Sequence, residues 1–263
     1  MFQNKVVLLV GATGGLGSAA ALAFAQQGAK LILAGRDMEK LQRLSRQFSA
    51  PAIQVDISDP DSISDLLTKV QVDFPKVDLV VNLTGADVRK SLGAHGLDEI
   101  QLLISVNLAG AIYLTKLFLP RMEAQRGGVI LHVGGFADGR LAFPFYSVDV
   151  ATRAGISAFI EAMNRELRLK NSPVRLVYFS PSPADTEVER PFHGVWQEMG
   201  LRIESPSRVA DELLQAASGE RERYLMGGFI TDVFARINAA FPRLADTLMM
   251  DRYSAILRNH FGE

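Results

Sequence analysis

The sequence predicts an α/β fold in which helices cover both faces of a parallel sheet. Short runs of apolar, β-branched residues alternate with longer segments of helical period along most of the chain. The short runs are apolar at nearly every position, whereas a strand with one solvated face would alternate apolar and polar residues. Strands that are buried on both faces and separated by helices form parallel sheets. We therefore expect a doubly wound α/β domain.

The individual elements are predicted from this alternation in chain order. Strands are expected at 5–10, 30–35, 52–55, 77–82, 127–133 and 173–179. Helices are expected at 15–27, 38–48, 60–72, 98–124 and 150–169. No internal repeat, low-complexity tract or Pro/Ser-rich linker divides this part of the chain, so residues 1–227 are predicted to form one domain.

Residues 228–263 are predicted to form a helical C-terminal extension of the same domain. Apolar residues recur there every three or four positions, and Pro242 is expected to break the segment into two helices. The apolar stripe is expected to pack on the body of the domain or on a second subunit. A substrate lid and a helix on a membrane surface are alternatives, but the near balance of acidic and basic residues disfavours the membrane.

Composition excludes several classes of function. The 263 residues carry a net charge of -1, which leaves no electrostatic footprint for nucleic acid. The chain has no cysteine, which fits a reducing compartment, and its four histidines have no metal-ligand spacing, so we expect no metal site. The apolar N-terminal run is too short to span a membrane and is read as a strand. A cytoplasmic protein without an integral membrane segment is expected.

A glycine-rich loop follows the first predicted strand and opens the first predicted helix. It reads "VGATGGLG", with Gly11, Gly15 and Gly17 at positions that permit a sharp turn and close approach to a pyrophosphate. The N-terminus of the following helix offers free N–H groups and the positive end of the helix dipole. This placement predicts a dinucleotide site in a Rossmann-type sheet.

These features resemble the short-chain dehydrogenase/reductase family over nearly the whole chain. Besides the glycine loop, the stretches "VDIS", "VNLTG", "ISVNLAG" and "FSPSPADTE" are similar to motifs of that family, in the family's order. The resemblance implies dinucleotide contacts at Gly11, Thr13, Gly15, Leu16, Gly17, Asp56, Ile57, Asn82, Gly85, Pro181 and Thr186. It also implies that Asn107 matches the family's active-site asparagine, and that the protein forms a homodimer or homotetramer.

The residue after the second strand predicts the choice of cofactor. The strand ends in "LILAGRD", so Gly35 stands where a carboxylate would accept from the ribose of NAD, and Arg36 follows it. An arginine at this place pairs with the 2′-phosphate of NADP. NADP is therefore the predicted cofactor. The alternative is an exposed Arg36 whose partner is Asp37.

The family's catalytic serine, tyrosine and lysine are missing from the expected positions. Tyr146 looks like the tyrosine of Tyr-x-x-x-Lys, but the helix "VATRAGISAFIEAMNREL" aligns so that Asp149 takes the tyrosine position and Arg153 the lysine position. In "ILHVGGFAD", Gly134 and Gly135 take the places of the two serines. The chain therefore departs from the family's mechanism at this site.

Asp149 and Arg153 are not expected to replace the missing pair chemically. Both side chains are charged at neutral pH when free, and a neighbouring guanidinium keeps a carboxylate ionised. Their four-residue spacing is also that of an ordinary surface ion pair on a helix. Arg153 could still contact the cofactor ribose, and Tyr146 could reach the same pocket, although a buried or lid-contacting aromatic is the simpler interpretation of Tyr146.

Three functions remain open at this stage. The first is an atypical NADP(H) oxidoreductase that acts on a small-to-medium apolar carbonyl compound or a conjugated enone. The second is a non-redox enzyme, an isomerase, lyase or cyclase, with Asp149 as base and the nucleotide retained structurally or lost. The third is a catalytically inactive nucleotide-binding subunit paired with an active homologue.

Overall fold

The fold is a single parallel sheet of seven strands with helices on both faces. The computed structural model describes residues 1–135 and 141–262, and only the backbone at 228–232. The strands are β1 Val6–Val10, β2 Lys30–Gly35, β3 Ala52–Gln54, β4 Leu79–Asn82, β5 Gly128–Val133, β6 Val174–Ser180 and β7 Arg223–Leu225. Their order in the sheet is β3-β2-β1-β4-β5-β6-β7, and every neighbouring pair is parallel. The predicted doubly wound sheet is confirmed.

The helices fall close to the predicted positions. They are α1 Gly15–Gln26, α2 Met38–Phe48, α3 Pro60–Asp73, α4 Leu97–Ile104, α5 Gly110–Ala124, α6 Ser147–Leu169, α7 His193–Glu198, α8 Pro206–Ser218, α9 Gly228–Ala240 and α10 Pro242–Phe261. The predicted helix at 98–124 is interrupted by a π-helical turn, Ser105–Ala109, between α4 and α5. Such turns are frequent at functional sites, and this one carries Asn107.

Strand β1 shows why the strands are apolar throughout. Val7 and Leu9 pack into the core on one face of the sheet, whereas Leu8 and Val10 pack into the core on the other face. All four side chains are completely buried. Because successive residues of a strand point to opposite faces, a sheet covered on both sides needs apolar residues at odd and even positions alike.

Strand β7 and helices α7 and α8 were not predicted. Strand β7 has only three residues, Arg223–Leu225, and all three are half-buried at the edge of the sheet. A strand this short and this polar has too little periodicity to be recognised. It completes the sheet by pairing with β6.

The segment Leu97–Ala124 is long and apolar enough, by composition alone, to cross a membrane. In this structure it forms α4, the π-helical turn and α5, which connect β4 to β5 across one face of the sheet. Leu103, Leu114 and Phe118 are completely buried. The buried residues of a crossover helix in the domain core account for much of its apolar character.

The two C-terminal helices pack against the segment that precedes α6. Pro242 is the first residue of α10, where its missing N–H is harmless and its ring ends α9. Met249 and Leu257 of α10 share a buried cluster with Phe143, Tyr146 and Trp196. Only part of the predicted apolar stripe of the C-terminal helices is buried, since Phe241, Leu244 and Leu248 are exposed. In this way α10 covers the start of α6.

Candidate cofactor and substrate site

The glycine loop brings backbone atoms close together at positions where a side chain does not fit. Gly11 has φ of 89°, a left-handed conformation that favours glycine. A Cβ atom on Gly17 would lie under 3.0 Å from the carbonyl oxygen of Gly11, so this position also excludes a side chain. The N-cap of α1 is Gly14, which offers no side-chain cap to the first N–H groups of the helix. These N–H groups are the donors that a pyrophosphate accepts from.

A cavity of about 270 Å³ opens at the carboxyl ends of the strands, beside the glycine loop. It is called the cavity below. The predicted site residues that line it are Gly15, Leu16, Gly17, Gly85, Tyr146, Asp149, Arg153, Pro181 and Thr186. The other predicted residues are not part of its wall: Gly11, Thr13, Arg36, Asp56, Ile57, Asn82 and Asn107 lie behind it or along the neighbouring strand ends. Ligands of doubly wound sheets bind in such a crevice.

Arg36 and Asp56 lie at the end of the sheet formed by β2 and β3. The side-chain hydroxyl of Ser58 donates to the Asp56 carboxylate over 2.6 Å, and this bond together with the Arg36 charge lowers the pKa of Asp56. Asp37 caps α2 by accepting from the Lys40 N–H over 2.9 Å, and the Lys40 Nζ lies 3.8 Å from its carboxylate. Asp37 therefore has partners of its own, and Arg36 is exposed at the strand end.

Asp149 and Arg153, called the Asp149–Arg153 pair below, are not a surface ion pair. The Arg153 Nε donates to the Asp149 Oδ1 over 3.2 Å, and the two side chains are only 11% and 12% exposed. Arg153 Nη1 donates to the Val133 carbonyl over 3.4 Å. Both residues face the cavity on the first turns of α6. The sequence-based alternative of a solvated helix pair is therefore wrong.

The Asp149 carboxyl lies in a different electrostatic environment from that of a free aspartate. Burial raises the pKa of the Asp149 carboxyl, and Arg153 offsets only part of this increase. Removing a carboxylate from water disfavours its charged form, and here this effect exceeds the attraction of the neighbouring guanidinium. The consequence is a carboxyl group that takes up a proton more readily than a solvated aspartate does.

Asn107 lies behind the Asp149–Arg153 pair. Its Oδ1 accepts from the Ala86 N–H over 2.9 Å, and its Nδ2 donates to the Ala86 carbonyl over 2.8 Å. The same Nδ2 is 3.4 Å from the Asp149 Oδ1. Asn107 thus fixes the loop after β4 and orients Asp149, without lining the cavity itself.

Tyr146 is a buried aromatic at the start of α6. The helix begins at Ser147, so Tyr146 is the N-cap residue, and its ring packs edge-on against Phe143 with centroids 5.1 Å apart. The residue is only 6% exposed, and no described group hydrogen-bonds to its hydroxyl oxygen. Burial raises the pKa of this phenol well above its ordinary value. Tyr146 lines the cavity, but its environment opposes the phenolate that proton donation would leave.

Other side chains fill the space beside Gly134 and Gly135. A Cβ atom on Gly134 would lie under 3.0 Å from the Cζ and Oη atoms of Tyr178, which is completely buried on β6. A Cβ atom on Gly135 would lie 2.8 Å from the Cγ atom of Arg153. A side chain at either position would therefore collide with Tyr178 or Arg153. The following residues, 136–140, lie outside the described part of the chain.

Sequence reasoning missed Arg89, which lines the cavity four residues after the "VNLTG" motif. Its Nη2 donates to Glu189 over 2.7 Å and also to Asp87, and its Nε donates to Asp87 over 3.1 Å. Although burial alone would lower the pKa of Arg89, Asp87 and Glu189 raise it above its ordinary value. No local pattern signals this network because Glu189 is one hundred residues away in the chain.

His132 is a structural histidine at the end of β5, and both of its ring nitrogens have hydrogen-bond partners. Its Nε2 is 2.8 Å from the Thr115 Oγ1, and its Nδ1 is 3.2 Å from the Asn82 Nδ2. Complete burial lowers the pKa of His132 to about 4, so the ring is neutral near pH 7. Within the described ranges, no group of three or more histidine, cysteine, aspartate or glutamate side chains is placed to hold a metal ion.

Comparison with known sequences gives a family match over most of the chain. The family model described as short chain dehydrogenase matches residues 5–193. Dehydrogenase/reductase SDR family member 7C-B from Danio rerio is 28% identical, in an alignment that covers 96% of this chain and 84% of that protein.

Solved structures show the same fold. A short chain dehydrogenase from Burkholderia cenocepacia in complex with NADP has a TM-score of 0.80 at 22% identity, covering 94% of this chain and 98% of that one. A short chain dehydrogenase/reductase from Burkholderia phymatum in complex with NAD has a TM-score of 0.80 at 21% identity, with 92% and 95% covered.

Proposed function

Because this chain belongs to the short-chain dehydrogenase/reductase family, we propose that it is an NADP(H)-dependent oxidoreductase with an aspartate as its acid. The substrate class is a small-to-medium carbonyl compound or a conjugated enone. The observation that carries the proposal is the shared wall of the cavity, where the glycine loop meets a buried carboxyl of raised pKa at Asp149. The family's usual tyrosine, lysine and serine have no part in it.

The residues around the cavity fit a dinucleotide. The glycine loop excludes side chains where a pyrophosphate would approach, and the uncapped start of α1 supplies donors. Arg36 would meet the ribose phosphate that distinguishes NADP from NAD, and Arg153 and Thr186 would hold the nicotinamide end. When bound, NADPH supplies the hydride. Solved relatives of the fold carry NADP or NAD, so the preference for NADP rests on Arg36 alone.

Asp149 supplies the proton in the proposed reaction. As the substrate carbon accepts the hydride, the protonated carboxyl donates its proton to the carbonyl oxygen, and an alcohol and a carboxylate result. Arg153 then neutralises the carboxylate charge until Asp149 takes a proton from solvent. With a conjugated enone, Asp149 would protonate the enolate oxygen, and the resulting enol would tautomerise to the saturated ketone. Asn107 keeps the carboxyl in position throughout.

The test combines binding and turnover. The purified protein is titrated with NADPH, and the nicotinamide absorbance is then followed with a panel of ketones and enones. Binding followed by oxidation of NADPH supports the proposal. Absence of NADPH binding contradicts the cofactor assignment. Binding without oxidation favours a second candidate, a non-redox enzyme with Asp149 as base, because a carboxylate whose pKa is raised is also a stronger base.

Arg36→Ala is expected to narrow the preference for NADPH over NADH. Loss of a charged hydrogen bond to the 2′-phosphate weakens NADPH binding by about 10-fold or more, while NADH binding changes little. Dissociation constants of both nucleotides are measured for the variant and for the unmodified protein. Arg43→Ala, which removes an exposed arginine of α2 paired with Glu39, is the matched control. Equal affinities for the two nucleotides in the unmodified protein would show that Arg36 does not select NADP.

A further inference from the structure

A chain of hydrogen bonds between side chains runs from the cavity wall to helix α5. Thr84 lies in the wall, and its Oγ1 is 2.5 Å from the Oδ1 of Asn82, the last residue of β4. The Asn82 Nδ2 is 3.2 Å from the Nδ1 of His132 on β5, and the His132 Nε2 is 2.8 Å from the Thr115 Oγ1 on α5. Asn82, His132 and Thr115 are buried, whereas Thr84 is half-buried. The steps of the proposed reaction involve none of these four side chains.

A backbone donor fixes the direction of the bonds at the cavity end. The Thr84 N–H donates to the Asn82 Oδ1 over 3.1 Å. The amide oxygen must therefore face Thr84, because the reversed amide would place its NH2 group against this N–H group. The Thr84 hydroxyl then donates to the same oxygen, and the Asn82 NH2 group faces His132. The His132 Nδ1 is consequently an acceptor and carries no proton.

The other end of the chain gives the same direction independently. The Thr115 hydroxyl donates to the Ala111 carbonyl, one turn earlier in α5, over 2.9 Å. Its single proton is thereby used, so the Thr115 oxygen can only accept from His132. The His132 Nε2 therefore carries the proton. A neutral ring of this tautomer satisfies both ends, and burial, which lowers the pKa of His132 to about 4, favours the neutral ring.

The direction of these bonds determines what Thr84 offers to a ligand. Its only hydroxyl proton is used by Asn82, so the remaining capacity of Oγ1 is that of an acceptor. A threonine hydroxyl that rotates freely could donate instead, and this one does not. The ligand atom that it meets must therefore be a donor. Phosphate oxygens are acceptors, whereas a ribose hydroxyl can donate.

The end of β4 packs directly against the glycine loop. A Cβ atom on Gly11 would lie 2.9 Å from the carbonyl carbon of Leu83 and 3.0 Å from the backbone nitrogen of Thr84. Thr84 and the glycine loop also line the same cavity. In a dinucleotide, the groups joined to the pyrophosphate are the two riboses. A ribose hydroxyl is therefore the donor with the chemistry and the place to meet Thr84.

We propose that His132 is a positioning residue that, through Asn82, holds the Thr84 hydroxyl as an acceptor for a ribose hydroxyl of the nucleotide. The inference rests on the cofactor assignment of the proposed function, but not on hydride transfer. It gives a role in ligand binding to a histidine that the ligand does not touch. Thr84 makes the contact, and His132 and Asn82 set its direction.

The state of the His132 ring is measured first, without a ligand. Long-range ¹H–¹⁵N correlation spectra of the histidine-labelled protein near pH 7 distinguish protonated from unprotonated ring nitrogens. The chain has four histidines, and the signals of His132 are those that disappear in His132→Gln. We expect a protonated Nε2 and an unprotonated Nδ1. A proton on Nδ1, or a charged ring, would overturn the inference.

The contact of Thr84 is tested by NADPH binding. Thr84→Val removes the hydroxyl at nearly constant shape and is expected to weaken NADPH binding by about 5-fold, whereas Thr84→Ser keeps the hydroxyl and changes binding by less than about twofold. The matched control is Thr68→Val, which removes an exposed hydroxyl of α3 that donates to the Ser64 carbonyl. Trp196 is the only tryptophan and lines the cavity, so its fluorescence reports binding.

Two His132 variants separate positioning from a merely structural role. The amide of His132→Gln can accept from Asn82 and donate to Thr115, so NADPH affinity is expected to stay within about twofold. His132→Leu leaves the Asn82 NH2 group without its acceptor and is expected to weaken NADPH binding by about 5-fold. In the Thr84→Val protein, His132→Leu should cause no further loss, because the acceptor is already absent. If His132→Leu fails to fold, the ring measurement and the Thr84 variants still decide.

Two fragments of the nucleotide identify the ribose. 2′,5′-ADP contains only the adenosine ribose, whereas 2′-phospho-ADP-ribose contains both riboses. Weaker binding of 2′,5′-ADP to Thr84→Val supports a contact with the adenosine ribose. Weaker binding of the longer fragment alone supports a contact with the second ribose. Unchanged binding of both fragments would overturn the inference.

The outcomes distinguish this inference from the proposed function. Absence of NADPH binding to the unmodified protein contradicts the cofactor assignment and the inference with it. NADPH binding that does not depend on the Thr84 hydroxyl, or losses that simply add in the double variant, overturn the inference alone. Coupled losses of NADPH affinity in a protein that does not oxidise NADPH support the inference and contradict hydride transfer.

Discussion

Asp149→Asn is expected to lower kcat for carbonyl reduction by about 10²–10⁴-fold, the usual contribution of a positioned general acid. Asparagine has about the size of aspartate and keeps the contact with Asn107. Its amide, however, does not release a proton near neutral pH. NADPH binding is expected to change by less than about threefold, because Asp149 is not among the residues assigned to the cofactor. Steady-state rates and nucleotide titrations on the same preparations provide the measurement.

Tyr146→Phe is the matched comparison for Asp149→Asn. It removes a second polar group from the same cavity, and the Tyr146 hydroxyl has no hydrogen-bond partner within the described chain. If Tyr146→Phe abolishes turnover and Asp149→Asn does not, the tyrosine is the acid and the present assignment fails.

The pH dependence of kcat gives an independent check of the same role. For reduction, the active form of Asp149 is the protonated one, so kcat is expected to be constant at low pH and to fall as the pH rises through the pKa of Asp149. Because burial raises that pKa, the fall is expected at higher pH than a solvated aspartate would give. For oxidation of the alcohol, the ionised form is active and the profile is reversed. A reduction profile that Asp149→Asn leaves unchanged would contradict the assignment.

Gly134→Ser is expected to lower the free energy of unfolding by about 1–3 kcal/mol, the usual range for overpacking a filled core. The added side chain would overlap the ring end of Tyr178, which is completely buried. Gly14→Ala is the matched control, because its Cβ atom would make only an ordinary contact of 3.5 Å. Denaturant unfolding of the apoprotein measures both variants.

Shortening Tyr178 is expected to relieve this overlap. In a double-mutant cycle, Gly134→Ser combined with Tyr178→Leu should lose less stability than the sum of the two single losses, with a coupling of about 1 kcal/mol or more. Strictly additive losses would mean that Tyr178 does not occupy the space beside Gly134.

The parallel sheet was predictable because its evidence is local in the sequence. Runs such as 5–10 are apolar on both faces, and the glycine loop follows the first of them. Strand β7 was not predictable, since three half-buried residues carry no periodicity and pair with β6 only after the chain has folded.

Nine of the predicted site residues line the cavity, but the electrostatics there were not predictable from the sequence. The spacing of Asp149 and Arg153 indicates that they pair, but the same spacing occurs on exposed helices. The burial that raises the pKa of Asp149 comes from the packing of other elements around α6. Arg89 gives no signal at all, because its carboxylate partner Glu189 and its aromatic enclosure arrive from a distant part of the chain.

The close neighbours of Gly134 and Gly135 also couple these two positions to residues elsewhere in the chain. A side chain at 134 would overlap the ring end of Tyr178, and one at 135 would lie against the Arg153 stem. A substitution at either glycine therefore requires a shift or a compensating change at 178 or 153. These four positions are expected to vary together among related proteins.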